Sequence, residues 1–379
     1  MITKAVNSGY KILIISNEFP PGPGGIGNHA YNLAKYLQEY DTLQISVLAD
    51  TNYSSKQEIK NFDKTTKFNI YRIYRYKPII FTYLKRILLA GRLIRKSDKI
   101  ICSSKFSLWL GGIYQLIFRK KQFIAVVHGS ELDLKNKWAK LITRFAINNF
   151  QKVISVSEYT QSYLPPKPAS QKRKIIPNGI DISEKKDSPK MKDSKTLNNG
   201  LSLLTVGNIT SRKGQKNMIR ALPEIKKHFP NVHYHMAGLP TLKEELSQFA
   251  KEIKVKEHLT FHGKVTRDEL NQIYENCDIF IMLSDHTANG DFEGFGIAVL
   301  EANLREKPAI GSRKSGIADA IDDGKTGILV DQHNDQEIAM ALKRITEEYN
   351  EFSSQAYSWA LDHDWEKIIK QYFSFINQK

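Results

Sequence analysis

Short apolar runs recur along this chain, each closed by glycine or a small polar residue, and most are separated by stretches with a helical period. Runs at 11–16, 44–48, 69–73, 99–102, 123–127, 152–157 and 174–181 make a first series. Runs at 201–206, 233–238, 259–265, 279–283, 307–311 and 323–330 make a second. In the runs at 11–16 and 279–283 the apolar character is continuous rather than alternating, as in strands buried on both faces of a parallel sheet. Helical patterns at 29–38, 79–96, 215–227, 297–302 and 351–379 fall between or after them. Strand and helix in alternation predict an α/β fold with parallel sheets. The stretch 184–200 is rich in Lys, Ser, Asp and Asn and has no hydrophobic period, so it reads as a linker between two halves. The halves share one architecture without a detectable sequence repeat.

Length agrees with two domains, since 379 residues exceed the roughly 100–200 that one domain usually takes. The expected division is a first domain over 1–182, a linker over 183–200 and a second domain over 201–355. A terminal helix follows over 356–379. No apolar run reaches the roughly eighteen residues of a spanning helix, and residues 1–10 carry no apolar core of a secretory signal. Cys102 and Cys277 stand far apart and match no metal or disulfide pattern, which fits a reducing cytosol.

Charge changes the picture. The net charge is +16, yet the first 180 residues hold 29 Lys and Arg against 10 Asp and Glu, the rest 27 against 30. An asymmetry of that size points to an anionic partner for the first half: nucleic acid, an anionic membrane or an acidic glycan. The helical stretch 79–96 sharpens it, with Phe81, Leu84, Leu88 and Gly91 on one face and Lys85, Arg92 and Lys96 on another. That pattern suits either a membrane surface rich in anionic lipid or an outer helix with a solvated basic face.

Candidate chemistry gathers where strands end. The first strand runs into Asn17-Glu-Phe-Pro-Pro-Gly-Pro-Gly-Gly-Ile-Gly27, a glycine-rich turn ahead of a helix and thus a phosphate-facing corner, though not the spacing of a dinucleotide fingerprint. His128 follows the strand 123–127 and so points toward the crevice at the sheet's carboxyl edge. Glu131 and Asp133 lie just beyond it as candidates for acceptor hydroxyls. In the second half, Arg212 and Lys213 precede Gly214 at a helix start, where two cations and the helix dipole would neutralise a diphosphate. The run 279–283 leads through a polar loop to Glu293-Gly-Phe-Gly296 and a short helix. Glu293 and Glu301 are thereby placed to meet two parts of one elongated ligand. His233, His235 and His262 read as structural.

Glu293 and Glu301, seven residues apart around Phe-Gly, resemble the E-x7-E signature of retaining glycosyltransferases of family 4. Phe292-Glu-Gly-Phe-Gly-Ile-Ala-Val-Leu-Glu-Ala302 is similar to the mannosyltransferase-like branch. The resemblance spans about residues 11–370. It implies the GT-B fold, two facing Rossmann-like domains with the site in the cleft and a C-terminal helix returning to the first domain. It also implies transfer of a hexose from a nucleotide sugar, GDP-mannose or a UDP-sugar, without a metal or other cofactor. Anomeric configuration is retained, and the acceptor is a glycan or lipid-linked sugar in surface polysaccharide or glycolipid synthesis. Gly24 and Gly25 then touch donor phosphate and acceptor, His128 touches the sugar, and Gly263 and Val265 lie against the base. Lys213, with Arg212, faces the diphosphate. Glu293 orients sugar hydroxyls, Gly294, Phe295 and Gly296 line the donor site, and Glu301 holds the ribose. One departure stands out: Asn208 follows Gly207 where the family more often has Arg. The expected setting is cytoplasmic, peripheral on the inner membrane face through the basic half. A nucleotide-sugar epimerase or phosphorylase on the same fold, or a nucleic-acid-binding protein, are the alternatives. For the last, no recognition helix, RNP motif or zinc module is visible.

Overall fold

The computed structural model describes residues 9–51, 54–184, 200–288 and 290–378. It divides into two compact units. The first holds the chain up to Val156, Thr160–Asn178 and the segment from Trp365 onward. The second holds Ser157–Tyr159 and Gly179–Asp364. Most of the expected linker, residues 185–199, lies outside the described residues; Ile182–Glu184 before it form one 3-10 turn.

In the first unit, β1 (Tyr10–Ser16), β2 (Leu43–Asp50), β3 (Asn69–Ile73), β4 (Lys99–Ser103), β5 (Gln122–Val127), β6 (Lys152–Ser155) and β7 (Lys172–Ile175) form one parallel sheet. Their order is β3-β2-β1-β4-β5-β6-β7. Ile14 pairs with Val47 on one side and Ile101 on the other. The continuous apolar runs arise because both sheet faces are covered: Ile12 to Ile15 are at most 3% exposed. Helices Ile79–Arg95, Lys105–Ile117 and Lys137–Asn149 bury Ala90, Leu93, Ile94, Leu108, Leu110 and Ile147 in one core with Leu13, Ile15, Phe123 and Val153.

Two expectations shift here. The first helix begins at Gly25, not near His29, so Gly25 and Gly27 belong to its opening turn. Gly27 permits this, since a Cβ there would sit 3.0 Å from the Phe19 nitrogen. The expected boundary at residue 356 falls inside helix Tyr349–Asp362, whose Phe352 joins the second unit's core. Trp359 also stays there, its indole N–H donating to the Ala320 carbonyl at 3.0 Å. The helix that packs on the first unit is Trp365–Asn377. Trp365 stacks on Tyr36 and Phe373 on Tyr40, and Lys152 Nζ donates to the Phe375 carbonyl at 2.8 Å.

The second unit carries β8 (Ser202–Val206), β9 (His233–Ala237), β10 (Leu259–Gly263), β11 (Ile279–Met282), β12 (Ala309–Ser312) and β13 (Gly327–Val330), all parallel, in the order β10-β9-β8-β11-β12-β13. Both sheets are doubly wound. The direction in which successive strands are added reverses between β1 and β4 in one and between β8 and β11 in the other, and open α/β sheets bind ligands beyond the strand ends at such a switch point. Cys102 and Cys277 are buried free thiols.

Candidate active site

The loops after β8 and β11 supply the charged centre of the second unit. After β8 the chain passes Gly207 to a 3-10 turn, Ser211–Lys213, and then Gly214, left-handed at φ 72°, opens helix Gln215–Ile225. Only glycine fits at 214: a Cβ would lie 1.7 Å from the Leu283 carbonyl oxygen, at the end of β11. This close approach brings the cations of one loop to the acids of the other. Lys213 Nζ lies 2.7 Å from Glu293 Oε2, and Arg212 Nη1 donates to the same oxygen. Arg212 Nε also lies 3.2 Å from Asp291. The lysine stem runs over Gly207, where a Cβ would come within 3.0 Å of Cε.

Burial alone would raise the Glu293 carboxyl, but Arg212 and Lys213 outweigh it and hold the pKa at about 2. Glu293 is therefore an anion at any ordinary pH and accepts hydrogen bonds; it has no proton to give. Glu293 in turn raises the Arg212 guanidinium, against its partial burial. The loop's backbone is pinned from β12's side, where Gly316 N–H donates to the Glu293 carbonyl at 3.0 Å. A Cβ on Gly316 would meet Gly294 at 2.2 Å.

Glu301 lies on helix Ile297–Asn303, and Gly296 precedes that helix at φ 91°. Its carboxylate accepts from the Tyr274 hydroxyl at 2.7 Å and lies 3.6 Å from Arg267. The Phe295 ring is 1% exposed, packed in the core 6.1 Å from His363, so anything this residue offers a ligand comes from its backbone. Gly263, at φ 70°, has nothing within 4 Å of its Cβ position; Val265 is half-buried nearby in sequence. The Gly263 carbonyl accepts from Gly238 N–H at 2.9 Å, and Gly238 abuts Gly207. The strand ends from β10 to β11 thus form one continuous backbone edge.

Sequence reasoning missed several supports of this edge. Asn217 donates to Asp285 at 2.8 Å and to the Leu283 carbonyl at 3.0 Å, and Gln332 donates to Asp285 at 3.1 Å. Gly238 and Gly316 gave a signal, each a glycine at or just past a strand end. Tyr274 gave none; it is 1% exposed on helix Arg267–Asn276, a stretch for which the sequence suggested no role.

In the first unit, His128 follows β5 and is 9% exposed. Its Nε2 lies 2.9 Å from Ser103 Oγ, at the end of β4, and its ring packs edge-on against His29 at 4.8 Å. Burial lowers its pKa to about 4, so it is neutral. Glu131 is no acceptor ligand: it is 1% exposed, and its carboxylate accepts the His128 backbone N–H at 2.6 Å. Asp133 pairs with Lys140 at 2.8 Å. Gly24 takes φ 144°, and the Glu18 carboxylate occupies the space beside it, 2.4 Å from a Cβ position. His235 and His262 join across β9 and β10 at 3.1 Å.

These histidines make stability depend on pH. His29 and His128 are lowered by burial first, as are His233, His235 and His262. The unfolded chain binds their protons more readily, so their contribution is full above about pH 6.5 and is lost as pH falls below it, for His128 and His235 toward about 4. His128 alone is expected to cost roughly 2 kcal/mol at pH 5 relative to pH 7. Glu131, raised by burial, works in the opposite sense. Thermal unfolding at pH 7 and 5 checks this: wild type loses stability, and His128→Asn loses less. Equal losses would contradict it.

Comparison with known proteins places this geometry. A family model described as "Glycosyl transferases group 1" matches residues 187–359, and one described as "Glycosyltransferase Family 4" matches 23–184. A GDP-mannose-dependent alpha-(1-6)-phosphatidylinositol monomannoside mannosyltransferase of Mycolicibacterium smegmatis is 25% identical over 93% of this chain and 94% of its own. Among solved structures, an Anabaena protein in complex with UDP and glucose superposes with TM-score 0.76 at 18% identity, covering 97% of this chain and 99% of its own. Sucrose-phosphate synthase from Thermosynechococcus elongatus gives TM-score 0.75 at 16% identity, covering 97% and 98%.

Proposed function

We propose, from the premise that this chain belongs to the family 4 glycosyltransferases of GT-B fold, hexosyltransferases that use nucleotide sugars, that it transfers mannose from GDP-mannose with retention. The acceptor is a hydroxyl of a glycan or lipid-linked sugar. Membership favours transfer over the epimerase, phosphorylase and nucleic-acid readings. GDP-mannose is favoured over a UDP-sugar because the M. smegmatis relative, similar over nearly the whole chain, is described as GDP-mannose-dependent.

One observation carries the proposal: two cations converge on the ionised Glu293 at a switch point. In sugar transfer the costly charge is the departing diphosphate, and preorganised cations aimed at it are usually the largest catalytic contribution. Lys213 and Arg212 meet that charge, and Arg212 takes the place of the cation absent at Asn208. Because these two side chains supply the positive charge, transfer proceeds without a divalent metal. Until the donor arrives, Glu293 and Asp291 hold both cations in position. With the donor bound, the Glu293 carboxylate accepts hydrogen bonds from sugar hydroxyls, and Glu301, steadied by Tyr274, accepts them from the ribose. His128, being neutral, serves as a hydrogen-bonding group and not as an acid.

The test offers GDP-mannose, UDP-glucose, UDP-galactose and UDP-N-acetylglucosamine with simple mannosides in the presence of EDTA, and follows the anomeric proton by NMR. Turnover of GDP-mannose into an α-mannoside is expected. An inverted product, a UDP-sugar preferred, or activity abolished by EDTA would each overturn the corresponding part.

A further inference from the structure

The three helices on one side of the first sheet each carry two apolar stripes. One faces the sheet. The other points outward, unlike the polar outer face expected of a surface helix. On Ile79–Arg95 it includes Phe81, Leu84 and Leu88, on Lys105–Ile117 it includes Ile117, and on Lys137–Asn149 it includes Trp138 and Phe145. All six are more than 40% exposed, and Leu88 and Trp138 more than 70%. The stripes adjoin. Tyr114 donates to the Ile87 carbonyl at 2.7 Å, joining the first helix to the second. Trp109 donates to Thr143 at 2.7 Å, and a Cβ on Gly112 would lie 2.5 Å from Ala146, joining the second to the third. They therefore form one apolar face, larger in kind than scattered surface residues.

Charge says what covers it. None of the three helices contains an Asp or Glu, while Lys85, Arg92, Lys105, Lys137 and Arg144 are exposed on them. Arg95 is exposed as well, Lys140 is half-buried and paired with Asp133, and Arg86 is turned inward and paired with Asp50. Exposed aliphatic and aromatic side chains on helices whose own charges are all cationic fit the boundary of an anionic bilayer, where apolar groups enter the acyl region and Lys and Arg meet lipid phosphates. Trp138, an amphipathic ring near the start of its helix, suits the headgroup level. Among the described residues no helix is long and apolar enough to span a membrane, so attachment would be by this face.

We propose that the outer face of helices Ile79–Arg95, Lys105–Ile117 and Lys137–Asn149 docks on a membrane surface rich in anionic lipid. The proposal is independent of the donor and acceptor argued above. The test is flotation of the full chain with vesicles of phosphatidylcholine alone or with 30% phosphatidylglycerol, at about 0.1 M salt. Two variants run alongside, Leu88→Ser/Trp138→Ser/Phe145→Ser and Lys85→Glu/Arg144→Glu. Unfolding temperature, donor binding and solution mass are measured for each. Expected is flotation only with phosphatidylglycerol, falling at least tenfold in both variants, with unfolding temperature and donor binding unchanged. Flotation that is absent, indifferent to lipid charge or unaltered in the variants overturns the proposal. A wild-type dimer that the triple variant makes monomeric, without flotation, would assign the face to a second copy instead.

Discussion

Lys213→Ala is expected to lower kcat/KM for the donor by about 10²–10³-fold, the usual loss when one preorganised group facing developing charge is removed. Its unfolding temperature should move little. The lysine is already neutralised by Glu293 at 2.7 Å, and Arg212 still holds that carboxylate when the lysine is gone. The loss should divide between donor binding, by at least tenfold, and kcat, because the diphosphate is charged in the bound donor and the charge Lys213 meets grows as it departs. Arg212→Gln should lose less, since it also removes a pairing to Asp291 that the resting site uses. Steady-state kinetics beside thermal unfolding decides it. A Lys213→Ala variant with unchanged kcat would mean that the cation is only structural.

The second large effect is on the fold of the same corner. Gly214→Ala and Gly263→Ala change residues with nearly the same positive φ, 72° and 70°. An alanine pays about 1–2 kcal/mol for the left-handed conformation at either site. At 263 nothing lies within 4 Å of the added carbon, so the conformational cost should be all of it. At 214 the carbon would fall 1.7 Å from the Leu283 carbonyl oxygen, so the β8 and β11 loops must part. A further loss of roughly 2–3 kcal/mol is expected, as for overpacking in a filled core. Because that approach places Lys213 beside Glu293, activity should fall with stability. Chemical denaturation of both variants measures the difference; equal losses would contradict the close approach.

That contrast also explains what the sequence made legible. Central strands such as Tyr10–Ser16, Gln122–Val127 and Ile279–Met282 were readable because parallel strands buried on both faces leave unbroken apolar runs. Glu293, Arg212 and Lys213 were readable as separate motifs, and their convergence on one oxygen follows from the adjacency of β8 and β11. Contacts made by absence of a side chain were not readable. Gly238 against Gly207 and Gly316 against Gly294 show only when the backbones are in place. A motif does not record which way its aromatic ring turns, and the Phe295 ring lies in the core at 1% exposure. The helix Ile79–Arg95 shows the same limit. Its face of Phe81, Leu84 and Leu88 was visible, but its direction was not. The buried side holds Thr82 and Arg86, polar residues satisfied by Tyr76 and Asp50 far away in sequence or across a turn.

The central claim is that the paired cations and Glu301 form a nucleotide-sugar site in the second unit. Calorimetric titration of GDP-mannose into wild type, Lys213→Ala and Glu301→Ala tests it most directly. The account predicts one saturable site in the wild type and at least tenfold weaker binding in both variants, with all three proteins folded. Binding of equal strength in all three, or none in a folded wild type to GDP-mannose or any UDP-sugar, would contradict it.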